Sequence, residues 1–261
     1  MVVVVATAAD DVERVEQRLR DRGARPIEVT ATSPGRRLVL ADDERADETA
    51  AALRADGELA VARPADGPRR DAWHEHTRPV VVGQRLAICF AWSEHERPRV
   101  DHVVELGLGG WGGHHPTTRS ILDHLVDRIS GGERVLDVGC GSGVLGLAAL
   151  VLGAAHVVAL DVKESALDAT RRNAALNGLA ARVETTSELP RTATDVILAN
   201  VGRAVLADLG PTLATRLAPG GWLAASGFAP AQSPDVRASL RPLVLLTEDD
   251  TAEWSTLLLS G

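Results

Sequence analysis

One stretch constrains this chain more than any other: Val135-Leu136-Asp137-Val138-Gly139-Cys140-Gly141-Ser142-Gly143, followed at once by the apolar run 144–152. An apolar strand that ends in an acid and bends through alternating glycines opens a strand–turn–helix unit, and the missing side chains let the backbone approach a ligand closely. The residues that follow keep the alternation. The pattern predicts strands at 134–138, 157–160, 182–185, 196–199 and 222–226, with helices at 144–152, 164–177 and 204–217, the last stopped by Pro219-Gly220-Gly221. Near-continuous apolar strands between amphipathic helices point to a parallel sheet covered on both faces, an α/β architecture. Beyond them, 243–247 and 254–259 flank Glu248-Asp249-Asp250 and read as a hairpin closing the sheet edge.

Residues 1–63 have a different rhythm: an apolar run at 2–6, a charged helical stretch at 10–22, Gly23 as a stop, and a strand at 26–30. A turn at Ser33-Pro34-Gly35, a strand at 37–41, a helix at 43–55 with an acidic first turn and a strand at 58–62 complete the series. This β-α-β-β-α-β order is that of a ferredoxin-like unit, or of a generic small α+β domain, and by itself implies no activity. Residues 64–70 set two prolines and a glycine among charges and read as a linker. The expected organisation is therefore an N-terminal domain at 1–63, a linker and connecting region at 64–106 with a strand at 85–90, and a larger domain at 107–261. That domain opens with the glycine-dense stretch 107–113 and a helix at 119–129.

Composition narrows the class. A formal charge of −8 argues against a protein whose direct substrate is nucleic acid and fits a basic protein partner better. The two cysteines, Cys89 and Cys140, are too far apart for a disulfide framework or a zinc pair, which suits a reducing, cytoplasmic setting. The first residues lack a basic n-region, and the longest apolar run, 144–160, is broken by Gly153 and His156, so neither a secretory signal nor a membrane span is expected.

The chemistry concentrates at strand ends. Gly141-Ser142-Gly143-Val144-Leu145-Gly146 fits the dinucleotide pattern G-x-G-x-x-G, but Asp137 just ahead of it would repel a pyrophosphate and suits a ligand with positive charge. Asp161, at the end of the second strand, can accept both hydroxyls of a ribose or cap the helix that begins near Glu164. Asn200 ends the fourth strand, beside the crevice where open α/β sheets place ligands, or turns the chain there. In His114-His115-Pro116-Thr117-Thr118, His115 is of the residue type suited to order the site or take a proton from an amine, or it only shapes the turn before Pro116, while His114 flanks it. The stretch 107–113 is a lid in which Trp111 excludes water, or a plain loop. His74, His76, His114 and His115 have no recognised ligand spacing, so no metal is expected; Trp73 and Trp92 read as packing residues, and Cys140 as a small residue in the bend.

The acid-x-Gly-x-Gly-x-Gly arrangement resembles the first signature of class I S-adenosylmethionine-dependent methyltransferases, over essentially all of 131–261. The resemblance implies a Rossmann-like sheet in which Asp137, Gly139, Cys140, Gly141 and Gly143 hold the cofactor, with Asp161 and its neighbour Val162 beside the ribose. Within that class, Ala199-Asn200-Val201 is similar to the Ala-Asn-Ile or Ala-Asn-Leu of the ribosomal protein L11 methyltransferase (PrmA) family, not to the Asn-Pro-Pro-aromatic of many amine methyltransferases. Gly113-His114-His115-Pro116-Thr117-Thr118, the run 79–88, Trp92 and the terminal Glu253-Trp254 hairpin resemble the same family. Where that family carries Phe-Gly-Thr-Gly, this chain has Gly110-Trp111-Gly112-Gly113, so Gly112 replaces a threonine that faces the cofactor.

The resemblance implies a protein N-methyltransferase acting on lysine or α-amino groups of ribosomal protein L11. Asn200 and His115 would be catalytic, Thr117, Thr118 and Asn200 would adjoin the cofactor, and 1–63 would be the substrate-recognition domain. Methylation of another protein or of a small metabolite, or a non-catalytic assembly factor that keeps the cofactor fold, are the alternatives.

Overall fold

Four consecutive β-branched residues favour an extended chain over a helix, and they open β1 (Val2–Ala8) of the computed structural model, which describes residues 2–33, 36–56, 58–63, 78–91, 93, 95–107 and 113–261. There follow α1 (Val12–Asp21), β2 (Arg25–Ser33), β3 (Arg36–Asp42), α2 (Ala46–Ala55) and β4 (Leu59–Arg63). The strands lie in the order β2-β3-β1-β4, with β1 antiparallel to both neighbours. Val15 and Leu19, four residues apart on α1, and Ala50 and Leu53 on α2 close one core with Val3, Val5 and Val39. The ferredoxin-like element order read from the sequence is the one observed. The helix expected from residue 43 starts at Ala46, because the Asp43 carboxylate accepts the Arg45 N–H at 2.8 Å and holds the chain in a turn. The turn expected at Pro34-Gly35 and the linker at 64–70 lie outside the described residues.

The connecting region forms β5 (Val80–Val82), β6 (Leu86–Phe90) and β7 (His102–Leu106), a three-stranded sheet of which only β6 was expected. α3 (Pro116–Arg128) begins three residues earlier than its apolar spacing suggests, since Pro116 at the first helical position has the helical φ built in and no N–H to satisfy.

The large sheet comprises β8 (Arg134–Val138), β9 (His156–Leu160), β10 (Val183–Thr186), β11 (Thr194–Asn200), β12 (Leu217–Phe228), β13 (Val244–Asp250) and β14 (Ser255–Ser260). Its helices are α4 (Val144–Leu152), α5 (Glu164–Leu176), α6 (Arg203–Arg216) and α7 (Ser233–Ser239). The order is β10-β9-β8-β11-β12-β14-β13, parallel from β10 to β12, with β14 inserted antiparallel between β12 and β13. Thus the chain walks outward from β8 to β10, returns to the other side of β8, and walks away again. Leu136, Val138, Ile197, Ala199, Leu223 and Leu257 form one face of this sheet and pack with Leu206, Leu213 and Val236 of its helices.

Two expectations need correction here. The helix expected to end at Pro219-Gly220-Gly221 ends at Arg216, and Leu217 already pairs with Thr194, so that triplet is an irregularity inside β12. The acids 248–250 are not the hairpin turn but the end of β13. Glu248 accepts from Ser233 and lies near Arg237, Asp249 meets His124 Nε2 at 2.7 Å, and the turn falls at 251–254, where Thr251 Oγ1 accepts the Trp254 N–H at 2.9 Å. The hairpin itself closes one end of the sheet as expected, β14 on the inner side and β13 at the edge. Helix α7, of seven residues, was not expected.

By contact the chain divides into two units, Met1–Pro79 with Cys89–Arg99 and Glu105–Gly109, and Val80–Ile88 with Val100–Val104 and Gly110–Gly261. Among the described residues no helix is long and apolar enough to cross a membrane.

Candidate active site

The bend after β8 is built by its glycines. Gly139, Gly141 and Gly143 have φ of +71°, +55° and +78°, a region that costs a side-chain-bearing residue about 1–2 kcal/mol. The bend is tied down from several sides. Gly139 and Cys140 donate their N–H groups to Leu160 O at 2.7 and 3.0 Å, Thr170 Oγ1 donates to Gly141 O at 3.2 Å, and Asn173 Nδ2 donates to Ser142 O at 2.8 Å. Gly146 lets α4 lie close on the sheet, because a Cβ there would stand 2.8 Å from Val157 Cγ1 and 3.1 Å from Asp137 Oδ2. Around Gly141, by contrast, a Cβ would meet, among the described residues, only Gly139 O, at 3.9 Å, so toward these residues the peptide has an open side.

Asp137 lies beneath the bend, 1% exposed, with Oδ2 accepting the Gly146 N–H at 3.0 Å. Burial pushes its carboxyl up to about 7; the Gly146 bond opposes that shift and the charge of Asp161 adds to it. Burial, with the nearby Asp137, also pushes the Cys140 thiol up to about 12, so Cys140 is a small unreactive wall whose Sγ accepts from Thr170 at 3.3 Å.

The raised Asp137 sets a pH dependence. A folded state that holds this proton more tightly than the unfolded chain is favoured fully below the ordinary Asp value near 4, and that advantage is lost as the pH rises through about 7. Asp137→Asn keeps an acceptor for Gly146 without the charge. It is expected to match the parent's stability below pH 4 and to exceed it by about 2 kcal/mol above pH 7, the full difference of about 4 being reduced by relaxation around the ion. Denaturant unfolding at pH 4 and pH 8 measures this, and an equal difference at both values would exclude it.

Asp161 follows directly on β9, half-buried. Its Oδ2 accepts the Gly141 N–H at 3.2 Å and its Oδ1 the Lys163 N–H at 3.0 Å. The N-cap of α5 is Lys163, without a side-chain cap, so Asp161 braces the bend and does not cap the helix. Next to it Val162 is 87% exposed, an apolar side chain standing in solvent beside the bend.

A second group gathers at the start of α3. His115 is the N-cap residue, its Nδ1 2.7 Å from Thr117 Oγ1 and its ring 5.0 Å from that of Trp254 in an edge-on contact at 68°. Thr118, buried like Thr117, accepts from Asn200 Nδ2 at 3.0 Å. Asn200 pairs in register with Ser226, which pairs with Thr256, and Ser226 Oγ lies 2.8 Å from Thr256 Oγ1. Ala199 pairs with Val138, so Asn200 and Gly139 leave adjacent strands at one level. This is where the strand order reverses, the place at which open α/β sheets form a ligand crevice.

The structure therefore brings Asp137, Gly139, Cys140, Gly141, Gly143 and Asp161 into one cluster and His115, Thr117, Thr118 and Asn200 into a second, while Val162 stands outside both. His114 is exposed. Trp111, Gly112, Trp73, Trp92, His74 and His76 lie outside the described residues, as does most of the expected lid. Among the described residues no three His, Cys, Asp or Glu side chains gather to hold a metal ion. Sequence reasoning missed Thr170 and Asn173, although polar residues three apart facing the sheet side of an amphipathic helix were a usable signal, and it placed Trp254 in a hairpin without linking it to His115.

Comparison with known proteins agrees with this geometry. A family model described as ribosomal protein L11 methyltransferase (PrmA) matches residues 43–260. Proteins named ribosomal protein L11 methyltransferase are 38% identical over 197 residues in Azotobacter vinelandii (73% of this chain, 68% of that protein) and 39% identical over 183 residues in Symbiobacterium thermophilum (67% and 59%). The matched part thus spans about two thirds of the length of these relatives. The crystal structure of a ribosomal protein L11 methylase from Lactobacillus delbrueckii subsp. bulgaricus superimposes with a TM-score of 0.64 at 28% identity, covering 71% of this chain and 98% of that one. With its glycine bend, its reversed strand order and a match that runs through most of its length, the chain belongs to the ribosomal protein L11 methyltransferase (PrmA) family.

Proposed function

We propose that this protein transfers a methyl group from S-adenosylmethionine to a lysine or α-amino nitrogen of ribosomal protein L11. The observation that carries the reading is the reversal of strand order between β8 and β11, which sets the glycine bend and Asp161 against Asn200 and Thr118 at one rim. The residues fit the donor: the open side of Gly141 admits a ligand against the backbone, Asp161 is a half-buried carboxylate acceptor beside it, and Val162 offers an apolar surface next to that acid. When bound, the donor supplies an electrophilic methyl on a cationic sulfur.

The chain's own groups do the rest. Asn200 directs its NH2 to Thr118, which leaves its carbonyl oxygen to accept a hydrogen bond from a substrate amine and fix the direction of the nitrogen lone pair. The amine must be neutral to react, and a lysine with a reference pKa near 10.4 needs more help than an α-amino group near 8. His115, held by Thr117 and by the edge of Trp254, is the group placed to receive that proton.

Residues 1–63 serve as the recognition module, 64–106 as linker and connecting region, and 107–261 as the catalytic domain; a substrate drawn from the ribosome places the protein in the cytoplasm. Removing 1–63 is expected to leave donor affinity unchanged and to lower kcat/KM on L11 by about ten-fold or more, the loss that follows when one of two linked binding contacts is removed. Equal methylation of L11 by the shortened chain would exclude the module. The reaction is tested by incubating labelled S-adenosylmethionine with purified L11, with a ribosomal protein mixture and with a cell extract. Label on L11 supports the proposal; label only on another protein or a metabolite, which Gly112 in place of a threonine would favour, redirects it; tight donor binding with no label marks an assembly factor.

A further inference from the structure

Val201, which follows Asn200, has no role in the reading so far, yet it touches the loops on both sides of that residue. Gly227 interrupts the pairing of β12 with β14 between Ser226 and Phe228 as a one-residue bulge with φ +100°. A Cβ on Gly227 would stand 2.7 Å from Val201 O and 3.0 Å from its carbonyl carbon, so the bulge lies flat against the Val201 main chain. The Val201 N–H also donates to Ser226 O at 3.0 Å. On the other side, a Cβ on Gly139 would overlap Val201 Cγ1, so the isopropyl group rests on the first glycine of the bend. Both glycines are positions that any larger residue would disturb, and both face the same valine.

We propose that Val201, held through its main chain by the bulge at Gly227 and resting its side chain on Gly139, is the spacer that fixes the separation between the donor bend and Asn200. The inference rests on the reading that the bend takes the methyl donor and Asn200 the acceptor amine. Its physical basis is the stiffness of a β-branched residue, whose two γ-carbons restrict the side chain to few orientations relative to the backbone. A fixed main chain at Val201 therefore fixes where Gly139 can lie. In-line transfer needs reacting atoms about 3–3.5 Å apart, and a misplacement of about 1 Å costs about 10²-fold in rate. Val201 is a positioning residue: it acts through Gly139 on one side and Asn200 on the other, and touches neither reactant.

Three variants test the spacer. Single-turnover methyl transfer, KM for the protein substrate, calorimetric affinity for the donor and thermal unfolding are measured on the parent chain, Val201→Ala, Val201→Ile and Gly227→Ala. Val201→Ala, which unseats the bend, is expected to lower kcat about ten-fold and donor affinity by less, with a single unfolding transition retained. Val201→Ile, which keeps both γ-carbons, is expected to stay within about three-fold of the parent kcat. Gly227→Ala, which displaces the Val201 main chain and with it both Asn200 and the contact on Gly139, is expected to lower kcat by more than Val201→Ala does, at least about ten-fold, with donor affinity reduced as in that variant. A parent-like kcat in Val201→Ala, or equal losses in Val201→Ala and Val201→Ile, overturns the spacer. Should Gly227→Ala fail to fold, the two Val201 variants decide alone. A parent chain that neither binds the donor nor transfers methyl overturns the functional reading instead, a result distinct from either.

Discussion

Replacing Asp161 with alanine is expected to weaken donor binding about 10²-fold or more, the equivalent of about 3 kcal/mol. Two losses combine. The carboxylate that would receive two ribose hydroxyls disappears, and each hydrogen bond to a charged acceptor is worth about 1.5–3 kcal/mol. The bend also loses its brace, since Gly141 and Lys163 both donate to this side chain. Their N–H groups lie where water can replace the carboxylate, so the melting temperature should move little while calorimetric titration with S-adenosylmethionine shows the loss. Unchanged affinity in this variant would remove the bend from the donor site and the functional reading with it.

The second large effect is expected at Asn200. Asn200→Ala should lower kcat by about 10²–10³-fold, the range seen when one preorganised polar contact to a reacting group is removed, while leaving donor affinity within about two-fold. The argument is geometric: the amide nitrogen is held by Thr118 and the residue follows the last in-register pair of β11 with β8, so the carbonyl oxygen, the one acceptor of the side chain, remains for an incoming amine. Thr118→Val should give a smaller loss of the same kind, because it frees the amide to rotate without deleting it. Rapid-quench transfer of labelled methyl separates this step from binding; an Asn200→Ala variant with parental kcat would leave the site without its acceptor-orienting group.

What the sequence made legible was what local chemistry decides. Helix α4 was read with its observed limits because a glycine bend marks its start, an unbroken apolar run its body and Gly153 its end. The acid-and-glycine bend, Asp161 at the next strand end and Asn200 at the fourth were found because strand ends in an alternating pattern can be counted. What stayed hidden was whatever depends on register or on distant partners. Trp254 reaches His115 across 139 positions of chain, and nothing near either residue announces the other. The interior place of β14 follows from pairing with two strands, not from its own residues, which read equally well as an edge. Asp43 and Thr251 moved a helix start and a turn by side-chain bonds of only a few residues' span, where propensity is weakest as a guide. The seven-residue α7 is too short for its spacing to stand out.

The insertion of β14 between β12 and β13 also fixes an order of assembly. Among the described residues β13 has no neighbour but β14, so the two join the sheet as one hairpin, and the far edge of β12 stays uncovered until β14 docks on it. Trp254 travels with that hairpin and its edge reaches His115 only on closure. The N-cap of α3 therefore gains its aromatic neighbour from the segment of the sheet that is made last, so the glycine bend and the His115 group become complete at different stages of folding.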